Sequence, residues 1–326
     1  MGTIILGTGS CLPSRVMSNV ELESIVDTSD EWIRTRTGIE NRRIGGTGEK
    51  TYQLAASAAR NALEMAQVDA EEIKLLVVGT VSSHMLMPSC ACYVQNEIGA
   101  ASAFAYDLNA ACCGFLYGLD AGDRYVRTDT QSKVLIIGAE TLSSRVNWQD
   151  RNTCILFGDG AGAAVLGHSD NSERKIIGTN HRSDGGLWDL LYMHNAPSQN
   201  PDLLVEDNPG AHIIMEGREI FKHAVKAMEE AIFGLFKKTG LSIDDVDVMI
   251  PHQANFRILN KLLERLEIPR EKVVLNVMHY GNTSAASIPL GYWDNRGKFE
   301  PGTSRIEIDV AFGAGFASGA ILRRVG

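Results

Sequence analysis

The sequence lacks the features of an exported, membrane-spanning or nucleic-acid-binding chain. No uninterrupted apolar run is long enough to cross a bilayer, and the short run at residues 4–6 has no basic flank of the kind that signal peptides carry. The net charge is −9, whereas a nucleic-acid-binding domain is usually basic. We therefore expect a globular cytoplasmic protein without a membrane or nucleic-acid partner.

The cysteines lack the spacing of a metal site. Six are present, but no two have the Cys-x-x-Cys spacing that is typical of zinc ligands. Scattered cysteines without an export signal indicate free thiols in a reducing compartment. We expect neither a structural metal nor a metal or organic cofactor.

The apolar patterns that are present predict an α/β protein. Residues 74–80 and 133–138 are short, continuous apolar runs, which are typical of buried strands, and residues 51–66 form an Ala-rich amphipathic helix. Strands that alternate with helices indicate layers around a central, mostly parallel sheet.

Two features recur in the same order, which predicts a duplicated unit. The Gly-rich stretch at residues 157–166 resembles residues 312–322, and residues 68–73, before a buried strand, resemble residues 241–246. Repeats of this kind determine the architecture, so we expect two similar halves that meet near residues 170–175.

A candidate centre of the chain lies at residues 109–115, where Cys112 and Cys113 stand among small residues. A strand is predicted to end here and a helix to begin, so the helix amino terminus would lower the pKa of a thiol and favour the reactive thiolate. The alternative is ordinary packing, since cysteine is among the most buried residue types. The motif alone leaves both interpretations open.

A histidine and an asparagine occupy comparable places in the second half. His252 follows the apolar run 248–250, and Asn282 follows the predicted strand 273–277. A single such histidine is more often a hydrogen-bonded core residue. Together with a cysteine, however, this set is typical of enzymes that attack carbonyl groups through a thiolate, and open α/β sheets carry such sites at the carboxyl ends of their strands.

Two further stretches have alternative interpretations. Trp32 lies beside Arg34 and Arg36, which is consistent with a structural cation–π cluster or with a site that stacks a base and pairs phosphates. Residues 183–215 carry Gly185-Gly186, three prolines and several aromatics, so we expect a long irregular segment, and its apolar residues favour a lid over a disordered loop.

The chain as a whole resembles the β-ketoacyl-[acyl carrier protein] synthase III family. The resemblance rests on five motifs in the same order and spacing, at residues 107–115, 157–166, 251–255, 281–287 and 312–316. It implies a thiolase-like duplicated αβαβα fold with two mixed, mostly parallel sheets. The half at 1–172 would carry the nucleophile, and the half at 173–326 would carry the histidine and the asparagine.

The resemblance also implies an activity and a catalytic set. Family members transfer an acyl group from coenzyme A (CoA) to a cysteine and condense it with malonyl-[acyl carrier protein], which starts fatty acid synthesis. Cys112 matches the nucleophile, and Cys113 fills a place that is often alanine. His252 and Asn282 match the groups that stabilise the enolate, Ala314 an oxyanion donor, and Phe312 an aromatic that shields the site from water.

The remaining implied positions concern binding. The residues that match CoA-binding positions are Thr28, Trp32, Arg36, Arg151 and Asn255. Those that match the acyl pocket are Met87 and Phe157. Those that match or extend a docking patch for the carrier protein are Arg257, Lys222, Lys261 and Arg265, with Glu264 among them. In the family the residue at Met87 crosses from the partner subunit, so we expect a homodimer and short to medium primers.

Other functions remain as alternatives. A thiolase-fold synthase or acyltransferase of specialised, polyketide-like metabolism would have the same residues. A non-catalytic subunit that only binds acyl-CoA or carrier protein would be expected to lack the cysteine or the histidine, and both are present.

Overall fold

The structure is a computed structural model that describes residues 2–171, 174–194, 212–298 and 302–326. Its strands are β1 Gly2–Cys11, β2 Arg15–Ser18, β3 Asn41–Ile44, β4 Ile73–Gly79, β5 Phe104–Leu108, β6 Lys133–Thr141, β7 Asp159–Ser169, β8 Lys175–Arg182, β9 Leu191–Met193, β10 Ile213–Met215, β11 Val248–Pro251, β12 Arg305–Gly313 and β13 Ala317–Val325. Its α-helices are α1 Asn19–Glu23, α2 Asp30–Thr37, α3 Thr51–Ala66, α4 Cys90–Ile98, α5 Gly114–Thr128, α6 Arg151–Cys154, α7 Gly217–Thr239, α8 Phe256–Leu266, α9 Val277–Tyr280 and α10 Ser287–Asn295.

Two mixed sheets form the framework. The first has the order β1-β7-β6-β4-β5, with parallel pairs on either side of β4 and antiparallel pairs on either side of β7. The second has the order β11-β12-β13-β8, in which only β11 and β12 are parallel. The α/β class is therefore confirmed, but parallel pairs do not predominate. One reason is that the turn Ala314–Phe316 joins β12 to β13, and so short a connection requires antiparallel strands.

Helices cover both outer faces and fill the space between the sheets. Helices α3 and α4 pack on the first sheet, and α7 and α8 pack on the second. Helices α5 and α10 lie between the sheets and contact both. Close packing of α3 on β1 requires glycine, because a Cβ on Gly9 would lie 2.2 Å from the Ala58 carbonyl oxygen. None of the helices in the described ranges has the length and apolar character needed to span a membrane.

The two sheets support the proposed duplication. Strands β1, β7, β6 and β4 have the same neighbours in the first sheet as β8, β13, β12 and β11 have in the second. Each half also has a 3₁₀ turn that leads into its central helix, Ala111–Cys113 before α5 and Ser284–Ala286 before α10. We propose that the chain consists of two equivalent halves. The predicted boundary between residues 172 and 173 lies outside the described residues.

One predicted strand is absent. Residues 273–277 make a single bridge, from Val273 to Met249, and helix α9 begins at Val277. The side chain of Gln253 explains the difference, since its Nε2 donates to the Val274 carbonyl and its Oε1 accepts from the backbone N–H groups of Asn276 and Val277. A buried amide therefore takes the place of a strand ladder.

The segment predicted as an irregular lid contains regular structure. Residues Gly185–Leu190 form 3₁₀ turns, and β9 pairs with β10. Pro197, Pro201 and Pro209 lie outside the described residues. Trp188, Tyr192 and Met193 line a cavity beside Cys112, so the described part of this segment forms a wall of that cavity.

Candidate active site

Cys112 lies in the turn between β5 and α5. Ala111, directly before it, has a φ of 45°, a left-handed conformation that costs a non-glycine residue about 1 kcal/mol or more. The turn brings Cys112 to the wall of a cavity of about 790 Å³, where 8% of the residue is exposed. The loop at Gly313 approaches from the other half so closely that a Cβ there would lie 2.8 Å from the Cys112 nitrogen. Cys112 therefore lies between a strained backbone at Ala111 and the closely packed loop at Gly313.

The thiol of Cys112 is protonated in the resting protein. Burial raises its pKa to about 12, and although a hydrogen bond with Ser284 lowers the pKa, it does not offset burial. The lowered pKa predicted from the helix terminus is therefore wrong for the resting site, because desolvation of the charged form is the larger effect. All six cysteines are free thiols, as predicted.

His252 directly follows β11 and is neutral. Only 1% of it is exposed, and burial lowers its pKa to about 3. Its Nδ1 lies 3.0 Å from the hydroxyl oxygen of Ser287, which also accepts the Gln253 backbone N–H at 3.1 Å. A hydroxyl that accepts this N–H can donate its own proton to Nδ1, which leaves the imidazole proton on Nε2. Nε2 has no hydrogen-bond partner within the described residues.

Asn282 is held by its backbone beside the cysteine turn. It forms a parallel bridge with Phe157, and its N–H donates to the Leu156 carbonyl at 2.8 Å. Its Oδ1 accepts the Ser284 N–H at 2.9 Å, so its NH₂ group is the end that remains for a ligand. Ser284 in turn contacts Cys112. Ser284 therefore contacts both Asn282 and Cys112 and connects the two residues.

The predicted shielding and oxyanion residues surround the same centre. Phe312 is 4% exposed and lies edge-on to His252, with a distance of 5.7 Å between ring centroids. Ala314 and Phe157 both line the cavity. These residues come from β12, the following turn and the segment before β7, so the second half supplies two of them.

Glu140 is a buried group that the sequence analysis missed. It is fully buried at the end of β6 and accepts hydrogen bonds from the hydroxyls of Thr80, Ser82 and Ser284 and from the Val81 N–H. Burial raises its pKa to about 7. A carboxylate directly after a continuous apolar strand was the signal that could have found it. Through Ser284, it orients the hydroxyl that contacts Cys112.

The predicted CoA-binding residues form a cluster away from the cavity wall. The guanidinium carbons of Arg36 and Arg151 lie 5.8 and 5.0 Å from the Trp32 ring centroid. Asn255 caps α8 and donates to the Arg36 carbonyl, while the buried Thr28 hydroxyl has no partner among the described residues. The cluster joins α2, α6 and α8, and none of its members lines the 790 Å³ cavity.

The predicted docking residues differ in how much charge they offer. Lys222, Lys261 and Arg265 pair with Glu219, Glu264 and Glu229. Arg257 is exposed, stacks over Phe221 at 5.8 Å, and has no ion pair with another described residue. The positive charge of this patch is therefore concentrated at one residue.

Met87 is exposed and does not line the cavity of its own chain. It is 84% exposed, and Leu86 beside it is 81% exposed. Met85 and Leu86 line the cavity, whereas Met87 does not. Among the described residues, no group of three or more His, Cys, Asp or Glu side chains is arranged to hold a metal ion.

Comparison with known proteins agrees with this geometry. The family model described as 3-oxoacyl-[acyl-carrier-protein] synthase III matches residues 106–185, and its C-terminal counterpart matches residues 236–325. A β-ketoacyl-[acyl-carrier-protein] synthase III of Desulfotalea psychrophila is 52% identical, over 99% of this chain and 100% of the relative.

Solved structures give the same result. The crystal structure of 3-oxoacyl-[acyl-carrier-protein] synthase III from Aquifex aeolicus matches with a TM-score of 0.91 and 44% identity, and covers 99% of this chain and 100% of that one. The corresponding enzyme of Thermus thermophilus matches with a TM-score of 0.91 and 39% identity, covering 99% of each chain. Relatives of this similarity do not favour the alternative of specialised metabolism. The chain belongs to the β-ketoacyl-[acyl-carrier-protein] synthase III family.

Proposed function

We propose that this protein condenses an acyl-CoA primer with malonyl-[acyl carrier protein], releasing CO₂ and CoA, and so initiates fatty acid synthesis. The observation that carries the proposal is the contact between Cys112 and Ser284, which also hydrogen-bonds Asn282. The Nε2 of His252 finds no partner among the residues that the structure describes. Cys112 and Ser284 line the cavity, and Ser284 connects the nucleophile to the amide donor of Asn282. His252, which packs against Phe312, offers a second donor.

The first step forms an acyl-enzyme. Cys112 Sγ attacks the thioester carbonyl, the bond from that carbon to the CoA sulfur breaks, and CoA leaves as a thiol with the proton that Cys112 gives up. Backbone N–H groups of Cys112 and Ala314 stabilise the tetrahedral oxyanion. Because Gly313 lies against the Cys112 backbone, the two donors come from adjacent segments.

The second step is decarboxylation and carbon–carbon bond formation. The electron pair of the bond to CO₂ moves onto the malonyl thioester, which carries the developing charge on its oxygen as an enolate. His252 Nε2–H and the Asn282 NH₂ donate to that oxygen. The enolate carbon then attacks the acyl-enzyme carbonyl, and the Cys112 thiolate leaves. Phe312 keeps water from the site.

The test of this function is a two-stage mass measurement. We expect incubation with an acyl-CoA to add one acyl group to the intact protein, on the peptide that contains Cys112. A chase with malonyl-[acyl carrier protein] should remove the group and yield a β-ketoacyl-[acyl carrier protein]. Absence of the adduct with every acyl-CoA tried would overturn the proposal, and discharge only to a different acceptor would change the reaction assigned.

We expect Trp32→Ala to weaken acyl-CoA binding without changing the chemistry. Stacking of an aromatic residue on a base is worth about 1–3 kcal/mol, so the KM for acyl-CoA should rise roughly tenfold to 100-fold while kcat changes little. Arg34→Gln on the same helix is the matched control, because Arg34 pairs with Asp30 and Glu40 instead. An unchanged KM for acyl-CoA would indicate that the cluster around Trp32 is structural and does not bind CoA.

We expect Arg257→Glu to act on the carrier protein alone. The new carboxylate should repel the acidic carrier protein, so the KM for malonyl-[acyl carrier protein] should rise by about tenfold. This KM should also depend less on salt concentration, because an attractive charge pair has been removed. Acyl loading from CoA should keep its rate. Lys237→Glu, at the far end of α7, provides the control for a change of net charge. Equal effects of both variants on loading and condensation would contradict a docking role.

We also propose a homodimer in which Met87 enters the acyl pocket of the partner. The supporting observation is the exposure of Met87 and Leu86 beside the cavity and of Phe104 on the edge strand β5, which is 51% exposed. Sedimentation at micromolar concentration tests the stoichiometry.

A cytoplasmic location and the absence of a cofactor stay predictions.

A further inference from the structure

The cavity beside Cys112 has a polar region that the proposed reaction does not use. Ser83, His84 and Arg145 line it together with Cys112. Each has a buried polar atom without a hydrogen-bond partner in the described part of the chain, namely Ser83 Oγ, His84 Nδ1 and Arg145 Nε. Most buried polar groups in proteins are satisfied, so three exceptions in one cavity wall indicate a polar ligand.

Arg145 is the charged member of this group. Its Nη2 donates to the Ser83 carbonyl at 3.0 Å, which attaches the guanidinium to the loop after β4. Its backbone lies directly after the turn that follows β6, and its carbonyl accepts the Ile213 N–H at 2.8 Å. The residue is held from both sides, yet it forms no ion pair with the described residues.

Asp107, which lines the cavity, and the buried Glu140 already have other hydrogen-bond partners. Both oxygens of Asp107 accept N–H groups at the start of α4, from Cys90 at 2.7 Å and Ala91 at 2.8 Å. Glu140 accepts hydrogen bonds from Ser82 and Ser284. Neither carboxylate is paired with Arg145, so its charge can be balanced by a ligand.

His84 has a defined orientation. Its ring packs against Tyr52 at 4.7 Å and Tyr93 at 4.6 Å between centroids, which fixes its plane. The ring is therefore a rigid polar group in the same cavity wall as Arg145. A primer that ends in a methyl group would leave Ser83 Oγ, His84 Nδ1 and Arg145 Nε without partners, which is unfavourable for buried polar atoms.

We propose that the acyl primer carries a carboxylate at the end remote from its thioester, as in the mono-CoA thioester of a short dicarboxylic acid. Arg145 binds this carboxylate, because a guanidinium matches a carboxylate with two parallel hydrogen bonds, and Ser83 and His84 supply further contacts. The inference rests on the proposed function. The chemistry at Cys112 is unchanged, and the distal carboxylate takes no part in bond making.

The test uses primers matched in carbon number. Glutaryl-CoA and pentanoyl-CoA have the same chain and differ in a terminal carboxylate or methyl group. Succinyl-CoA with butyryl-CoA and adipyl-CoA with hexanoyl-CoA extend the comparison to shorter and longer chains. We expect kcat/KM for acyl-enzyme formation, followed by intact mass, to favour the carboxylated member of at least one pair by about tenfold or more, since a site built for a polar group discriminates strongly against its apolar analogue.

Arg145→Met removes the charge and keeps an unbranched side chain of similar length. We expect it to lower kcat/KM for the preferred carboxylated primer by about 100-fold, while its methyl-terminated partner loads as fast or faster. His84→Phe, which keeps the ring against Tyr52 and Tyr93, should lower the same preference by a smaller factor. The methyl-terminated primer reports whether each variant is folded and competent.

The outcomes separate the two proposals. A wild-type protein that loads methyl-terminated primers and rejects every carboxylated one overturns the inference and leaves the proposed function intact. The same holds if Arg145→Met slows both members of a pair equally, or if it dissociates a dimer, which would assign Arg145 to a structural contact. Failure of all acyl-CoAs to load Cys112 overturns the proposed function itself.

Discussion

Cys112→Ala should abolish acyl transfer. We expect acyl-enzyme formation to fall below detection and the overall rate to drop by roughly 10³-fold or more, because the covalent route requires this thiol. The same mass measurement that detects the wild-type adduct checks the result. The change removes a single sulfur atom, so any loss of stability should be small and the fold should stay intact, which circular dichroism can confirm.

Cys113→Ala is the matched control for the adjacent thiol. Cys113 is fully buried, and its Sγ lies 3.3 Å from the Ala317 carbonyl oxygen, on the side of the turn that packs between the sheets. We expect acyl loading close to the wild-type rate and a small loss of stability, about 1 kcal/mol. If instead Cys113→Ala lost the adduct and Cys112→Ala kept it, the assignment of the nucleophile would be reversed.

His252→Ala should separate the two halves of the reaction. The acyl-enzyme should still form, because the oxyanion donors of the first step are backbone groups near Cys112. Decarboxylation should slow by about 10²–10³-fold, since one preorganised donor to the enolate is lost. Quenched-flow measurement of loading, together with release of labelled CO₂, resolves the two steps. Equal slowing of both would assign His252 to the first step as well.

The pH dependence provides an independent check on the state of His252. Because burial holds its pKa at about 3, the imidazole is neutral both above and below the ordinary histidine pKa of about 6.5. The condensation rate should therefore show no histidine inflection between about pH 5 and 8. Ser287→Ala, which removes the hydroxyl that sets the tautomer, should slow decarboxylation less than His252→Ala does. An inflection near 6.5 that disappears in His252→Ala would contradict a neutral donor.

The sequence predicted those parts of the structure that depend on local patterns. Helix α3 has the predicted bounds Thr51–Ala66. The buried strands β4 and β6 were recognised as continuous apolar runs. In each case the apolar pattern within a single segment indicates the element, although the strands pair with segments that are distant in sequence.

The parts that were missed depend on residues distant in sequence. The predicted strand at 273–277 is displaced by the side chain of Gln253, about twenty residues earlier. The pKa of Cys112 depends on burial between two halves of the chain, which a helix terminus in the sequence does not reveal. Glu140 became visible as part of the site only when the fold brought Ser284 to it from 144 residues away.

The paired turns before α5 and α10 have a consequence for how the two halves share the site. Residues 109–114 and 282–287 can be aligned, since each segment begins with asparagine. In this alignment Ala111 corresponds to Ser284, and both have left-handed φ angles, of 45° and 49°. In this register Ala285 is the counterpart of Cys112. Under the proposed duplication, the two halves therefore use equivalent turns for different tasks. One turn carries the sulfur, and the other contributes Asn282 and Ser284 to the same centre.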